Sequence, residues 1–93
     1  MTRYGYFGPS GTFTEMALLD WPPARDAERV PFASVDATLA AVRGGDVDAA
    51  MVPIENSVEG GVSATLDALA TGSPLIVIAE RLVKIRFVLA ARE

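Results

Sequence analysis

Met51-Val52-Pro53-Ile54-Glu55-Asn56-Ser57 marks a point where the sequence turns abruptly from apolar to polar. The apolar run from Ala49 to Val52 has the composition of a short buried strand, and it stops at Pro53, which cannot donate to a sheet ladder. A helical pattern begins after Gly60-Gly61. A strand, a polar turn and a helix form the unit that places ligands beyond the carboxyl ends of strands in open α/β sheets. We therefore expect the chemical site at positions 55 to 57.

Asn56 and Ser57 also suit a purely structural role. Asn tolerates left-handed backbone in turns, and Ser accepts hydrogen bonds from the free amides at the start of a helix. Residue types and spacing alone leave both interpretations open.

A second strand-to-helix unit opens the chain. Residues 3 to 7 alternate and are rich in aromatic side chains, which predicts a strand that ends at Gly8-Pro9. The following Thr12-Phe13-Thr14-Glu15 is a capping-box pattern, in which Thr12 can accept from the amide of Glu15 and the Glu15 side chain can reach back to the amide of Thr12. A helix should run from there to about Leu19.

The loop Gly8-Pro9-Ser10-Gly11 precedes this helix and invites a binding interpretation. Free amides and the positive dipole end of a helix suit an anionic ligand such as a carboxylate, although an ordinary turn is the simpler interpretation. The loop has neither the Lys of a P-loop nor the three glycines of a dinucleotide fingerprint, so nucleotide binding gains little support.

The middle of the chain predicts scaffold elements. Trp21-Pro22-Pro23 predicts a break and a surface connection, with Trp21 packed over the edge of the core. Arg29 to Phe32 predicts a short strand at an edge, because it contains a proline. Ser34 should cap a helix that ends at Gly44-Gly45, and the exposed turn after it carries two aspartates at positions 46 and 48.

The last third of the chain predicts a helix from Val62 to Ala70 and then two strands. Leu75 to Ala79 is an apolar run typical of a strand covered on both faces, and Glu80-Arg81 should interrupt it. Leu82 to Ala90 alternates with charged residues and predicts a partly exposed strand. Strands that alternate with helices predict an α/β fold with a mostly parallel sheet and flanking helices.

Composition narrows the classes of function. The 93 residues are 51% hydrophobic, which fits one compact unit with a modest core, and the net charge of −4 comes from interspersed charges. Nucleic-acid and anionic-membrane partners are not expected, because the sequence has no basic stripe. No Cys or His is present, which excludes disulfides, thiolate metal sites and His-based triads within these residues. No stretch of the sequence approaches the roughly 20 apolar residues that a membrane span needs.

The first residues lack the apolar core of a signal peptide, so we expect a cytoplasmic protein.

Two motifs in this order resemble the signatures of the prephenate dehydratases. Val-Pro-Ile-Glu-Asn-Ser at 52 to 57, followed by Gly60-Gly61 and Thr65-Leu66-Asp67, is similar to one signature. Gly8 to Glu15, read as Gly-Pro-Ser-Gly-Thr-Phe-Thr-Glu, is similar to the N-terminal signature of the family. Phe32-Ala33-Ser34-Val35 resembles its middle section, so the similarity covers essentially the whole chain.

The resemblance implies one lobe of a two-lobed catalytic domain of the periplasmic-binding-protein type II kind, with the active site in the cleft between the lobes. Residues 1–93 correspond to the first lobe, and the sequence shows no counterpart of the second lobe or of the regulatory ACT domain. The second lobe of the same enzyme is therefore the expected partner. A homo-oligomer is also expected, as are an exposed apolar edge and some self-association of the isolated chain.

The resemblance also implies a reaction, the conversion of prephenate to phenylpyruvate with loss of water and carbon dioxide in phenylalanine biosynthesis. No metal or organic cofactor is expected. Carried over residue by residue, Asn56 and Glu55 are the candidate catalytic residues, and Ser57 and Thr12 are secondary donors to the substrate. The candidate residues that shape the substrate-binding loop are Gly8, Pro9 and Gly11.

One departure concerns the general acid, which in the family is a threonine of a Thr-Arg-Phe motif in the second lobe. Ile85-Arg86-Phe87 echoes that motif without the threonine and in the wrong lobe, so it receives no catalytic role and the isolated chain is expected to be inactive. A non-catalytic module that binds small carboxylates, a prephenate decarboxylase relative and an interaction domain without a ligand are the alternatives.

Overall fold

A computed structural model of the chain describes residues 2–54, 64–83 and 85–92. Its helices and strands are, in chain order, β1 (Arg3–Phe7), α1 (Phe13–Leu19), α2 (Pro22–Arg25), β2 (Glu28–Phe32), α3 (Val35–Gly44), β3 (Ala49–Pro53), α4 (Ala64–Ala70), β4 (Leu75–Val83) and β5 (Ile85–Arg92). The predicted α/β class with flanking helices is confirmed.

The five strands form a single sheet in the order β2-β1-β3-β5-β4. β1 pairs in parallel with β2 and β3, whereas β5 pairs antiparallel with both β3 and β4. The sheet is therefore mixed, because β5 runs against the common direction of β1, β2, β3 and β4. The predicted mostly parallel sheet is confirmed, with one reversed strand among the described ones. Position 84 alone separates β4 from β5 in sequence, and strands that close together can pair only as a hairpin, since a parallel pair needs a crossover connection.

β3 lies at the centre of the sheet and is buried on both faces, so the predicted short buried strand is confirmed. Its residues from Ala49 to Val52 are all buried, and they alternate between two apolar layers. Ala49 and Met51 join the layer that contains residues of α1 and α2, while Val52 joins the layer that contains residues of α3 and α4. This double burial explains the continuous apolar run in the sequence.

Local capping signals place the helices where the sequence predicted them. The Thr12 hydroxyl accepts from the Glu15 amide at 3.5 Å at the start of α1, and the Ser34 hydroxyl accepts from the Ala37 amide at 3.0 Å at the start of α3. α3 ends at Gly45, whose φ of 85° lies in the left-handed region that favours glycine.

Two arginines hold the carboxyl-terminal ends of helices in place. Arg43, at the end of α3, donates to the carbonyl of Ala68 in α4 at 2.8 Å and to the carbonyl of Ser73 at 2.9 Å. Arg92, at the end of β5, donates to the carbonyl of Val42 in α3. The Ala68 carbonyl lies in the last turn of α4, where backbone donors run out, and the Ser73 bond secures the connection that follows. The Val42 carbonyl accepts from the Gly45 amide at 3.1 Å as well as from Arg92.

The segment after α1 is the predicted break at the surface, and it contains one helical turn that was not predicted. Pro22 and Pro23 occupy the first positions of α2, a single helical turn, where a missing amide costs nothing. Trp21 packs against the core, as predicted, and its Nε1 donates to the Tyr4 hydroxyl at 3.4 Å. The guanidinium of Arg81 lies over its ring, 5.6 Å from the centroid.

β4 also differs from its prediction. It is one continuous strand at the edge of the sheet, so neither the coverage on both faces nor the interruption at Glu80-Arg81 was correct. Ile76, Val77 and Ile78 are 41%, 51% and 42% exposed, which confirms the expected exposed apolar edge. Arg81 lies within the strand, and its guanidinium pairs with the carboxylate of Asp20, which follows α1, at 3.0 Å.

The apolar edge predicts that the chain self-associates and that a charge on β4 weakens the association. We expect Val77→Lys to shift the chain toward the monomer in size-exclusion chromatography at several concentrations, because a charged edge strand resists pairing. Met16→Lys is the matched control, since Met16 is 52% exposed on α1 rather than on the strand edge. A wild-type chain that stays monomeric at every concentration would contradict the prediction.

Candidate active-site edge

The ends of three parallel strands meet at one edge of the sheet, here called the carboxyl edge. It consists of the residues that follow β1, β2 and β3, namely Gly8, Ala33 and Ile54. β5 runs antiparallel and contributes its start, where the Ile54 amide donates to the Arg86 carbonyl at 2.9 Å. The two sequence motifs therefore leave the sheet from neighbouring strands, β1 and β3.

Glu55, Asn56 and Ser57 lie outside the described residues, so their roles stay predictions. The described chain ends before them at Ile54 and resumes at Ala64, the first residue of α4. Both flanking ends belong to well-defined elements, since β3 is buried and α4 packs in the layer that contains Val52 and Leu39.

Gly8 is buried where β1 and β2 end side by side. Its amide donates to the Phe32 carbonyl at 2.8 Å, and a Cβ at this position would come within 2.7 Å of the Pro31 Cβ. Only glycine fits this close approach without a shift of the neighbouring strand. Pro9 follows through a cis peptide bond and is exposed.

Glu15 organises the loop between β1 and α1. Its carboxylate accepts from the Gly11 amide at 2.7 Å, from the Ser10 hydroxyl at 3.2 Å and from the Tyr6 hydroxyl at 3.3 Å. The Gly11 bond is the main reason why the pKa of Glu15 lies below its ordinary value, because a hydrogen bond to the charged form favours that form. Burial works against this shift, while the two hydroxyls and the charge of Arg29 add to it.

This arrangement corrects one detail of the capping box and weakens the anion-site interpretation of the loop. The Glu15 side chain reaches the amide of Gly11 rather than that of Thr12. The loop thus already holds a carboxylate of its own chain at the start of α1, a helix of 7 residues. The described geometry favours the simpler interpretation of an ordinary, internally satisfied turn.

An open cavity of about 570 Å³ lies between the ends of β1 and β2. Its lining consists of Phe7, Gly8, Pro9, Pro31, Phe32 and Ala33. Gly8 and Pro9 therefore do shape a concave surface, whereas Gly11 and Thr12 do not line it. β3 leaves the sheet on the other side of β1, so this cavity alone does not unite the predicted site residues.

Thr65 is a contact that the sequence reasoning missed. It belongs to the second signature but received no role, although its hydroxyl donates to the Pro53 carbonyl and the residue is 2% exposed. The sequence held one signal of this contact. Thr65 lies three residues before the apolar Ala68, so both side chains fall on the same side of α4, and that side is buried. A polar side chain at a core position requires a hydrogen-bond partner, and the nearest strand end supplies it.

The predicted solvated turn before β3 is confirmed, with one addition. Asp46 and Asp48 are both exposed, and the Asp48 carboxylate accepts from the Arg3 amide at 2.8 Å. Within the described ranges, no group of three or more acidic residues could hold a metal ion. In the same ranges, no helix is long and apolar enough to cross a membrane.

Known proteins share both the sequence and this fold. The family model described as "Prephenate dehydratase" matches residues 4–93, which is nearly the whole chain. The chain belongs to the prephenate dehydratase family. Membership in this family accounts for both signatures and confirms the resemblance on which the expected fold and reaction were based.

Individual members of the prephenate dehydratase family are similar along most of the chain. A prephenate dehydratase from Amycolatopsis methanolica is 52% identical over 93 residues, and the chain spans only 30% of its length. The crystal structure of prephenate dehydratase from Arthrobacter aurescens in complex with L-Phe is 60% identical with a TM-score of 0.79, over 88% of this chain and 27% of that one. Prephenate dehydratase from Streptococcus mutans is 33% identical with a TM-score of 0.83, over 100% of this chain and 50% of that one.

The hydrogen bonds of Glu15 predict a pH-dependent contribution to stability. The folded-state pKa lies below the ordinary value of 4.5, so the contribution is present above pH 4.5 and is lost as the pH falls through the folded-state pKa. We expect Glu15→Gln to lower the melting temperature at pH 7, and this difference from the wild type should close in acid. Asp46→Asn, in the exposed turn, is the control; an equal pH dependence of both differences would contradict the prediction.

The two loop glycines predict a graded response to an added methyl group. Gly8→Ala should cost about 1–3 kcal/mol, because the Cβ overlaps Pro31. Gly11→Ala should cost about 1 kcal/mol, because its φ of 87° is strained for alanine although the space is open. Gly44→Ala, in α3 with open space around it, should be neutral or stabilising.

Urea unfolding of the three glycine variants measures this order directly. A Gly8→Ala protein as stable as Gly44→Ala would show that β1 and β2 do not approach each other so closely at the carboxyl edge.

Proposed function

We propose that this chain is the first lobe of a prephenate dehydratase, which converts prephenate to phenylpyruvate with loss of water and carbon dioxide. The observation that carries the proposal is that both family signatures leave the sheet at one edge, from the adjacent parallel strands β1 and β3. Family membership and 52% identity to a named prephenate dehydratase support the same reaction. The chain spans about 30% of that relative, so the activity belongs to the whole protein.

The proposed reaction makes three physical demands. The two carboxylates of the substrate must be held, the ring hydroxyl must be protonated as it leaves, and one carboxylate must be able to depart as carbon dioxide while the ring becomes aromatic. Hydrogen-bond donors fixed in a cleft that excludes water meet the first two demands, because they stabilise developing charge without reorganising.

In this proposal the residues after β3 contact the substrate. The Asn56 amide donates to a substrate carboxylate or to the leaving hydroxyl, and Glu55 orients the site or holds a proton. Ser57 and Thr12 are further donors. Gly8, Pro9 and Gly11 shape the loop that faces the cleft. The Glu15 carboxylate binds the Gly11 amide of this loop, and the Phe32 carbonyl binds its Gly8 amide.

In this proposal, the chain supplies only part of the active site. The second lobe closes the cleft and provides the general acid, so the isolated chain does not turn over prephenate. We include a homo-oligomer in the proposal, supported by the apolar edge of Ile76, Val77 and Ile78 on β4. A cytoplasmic location remains a prediction from the sequence.

The test is an assay of the complete open reading frame for phenylpyruvate formation from prephenate. We expect turnover by the wild type and a fall of about 100-fold or more in Asn56→Ala, the size typical for loss of one donor to developing charge. Asp46→Ala is the control, since Asp46 lies before β3 at the opposite edge of the sheet, and it should keep full activity.

Two results would contradict the proposal in different ways. A wild-type protein that forms no phenylpyruvate would exclude the dehydratase function. An Asn56→Ala protein with undiminished turnover would leave the function in place and exclude this residue from the site.

A further inference from the structure

Thr65 connects the two described ends of the segment that carries the candidate catalytic residues. It lies in the first turn of α4, and its hydroxyl donates to the carbonyl of Pro53, the last residue of β3. Glu55 and Asn56 lie between these two positions in sequence. One side-chain bond therefore joins the two described elements that flank the candidate catalytic residues in sequence.

The surroundings of this bond are rigid on both sides. Pro53 pairs with Phe87 of β5, and the next residue, Ile54, donates to the Arg86 carbonyl at 2.9 Å. α4 is held at its other end by the Arg43 guanidinium, which donates to the Ala68 carbonyl at 2.8 Å. A strand end and a helix that are both anchored elsewhere can set a precise spacing through a single direct bond.

Burial makes the bond selective for a hydroxyl. Thr65 is 2% exposed, so water has little access to its hydroxyl. For the same reason, water does not readily replace that hydroxyl as the donor to the Pro53 carbonyl. Removing one partner of a buried hydrogen bond leaves the other unsatisfied, which costs more than the net contribution of the bond itself. The start of α4 would then shift to relieve the unpaired carbonyl.

We propose that Thr65 is a positioning residue of the active site, which fixes the distance between the end of β3 and the start of α4. This inference rests on the proposed dehydratase function and deepens it, because the candidate residues Glu55 and Asn56 lie between the two bonded positions in sequence. A displacement of reacting groups by about 1 Å can cost about 100-fold in rate.

The test uses the full-length protein with two substitutions of Thr65. Thr65→Val keeps the shape and removes the hydroxyl, and we expect its kcat to fall about tenfold or more with a smaller change in KM. Thr65→Ser keeps the hydroxyl and should recover kcat to within about threefold of the wild type. All assays are run well below the melting temperature of each variant, so that loss of folded protein does not contribute.

Thr38→Val is the matched control. Thr38 is also a fully buried threonine whose hydroxyl donates to a carbonyl, that of Ser34 at 2.6 Å, but the bond lies within α3. The Ser34 carbonyl also accepts from the Thr38 amide at 3.0 Å, so we expect Thr38→Val to lower the melting temperature less than Thr65→Val does and to leave kcat unchanged.

The outcomes separate this inference from the function on which it rests. An active wild type together with a Thr65→Val kcat within twofold of it, or with an equal fall in Thr38→Val, would overturn the positioning role alone. A wild type that forms no phenylpyruvate would overturn the proposed function and the inference with it.

Discussion

The burial of β3 on both faces is the constraint on which the rest of the structure depends. A strand with no solvent-exposed face must pair its backbone with strands on both sides, and β1 and β5 fill these positions. Its side chains must also be covered from both sides, which requires helical layers above and below the sheet. Once these demands are met, the position at which β3 ends is fixed, and the polar segment that follows must begin at the carboxyl edge.

The same constraint connects the two family signatures. β1 and β3 are parallel neighbours, so the glycine-bearing loop and the polar segment, far apart in sequence, start from adjacent points. A bond of different chemistry lies beside each: the Glu15 carboxylate holds the first loop from within, and the Thr65 hydroxyl joins the end of β3 to the start of α4. Neither bond uses a candidate catalytic side chain.

Locally encoded features were predictable from the sequence, and features set by tertiary context were not. Thr12, Ser34 and Gly45 act within one helical turn, so their caps and stops could be inferred directly. The apolar run in β4 predicted coverage on both faces, because periodicity does not report which strands lie beside it. The exposed apolar edge was expected only from the family resemblance, which implies a second lobe. The partner of Thr65 lies in another element, and the positions at 55 to 57 are known from sequence alone.

The contacts of Arg43 have a consequence for how the second half of the chain is held together. Its guanidinium binds the Ala68 carbonyl in α4 and the Ser73 carbonyl in the connection to β4, while Arg43 itself belongs to α3. One side chain thus couples two helices and the connection that leads into the edge strand. Shortening this side chain would release the helix and the connection together, as a single event.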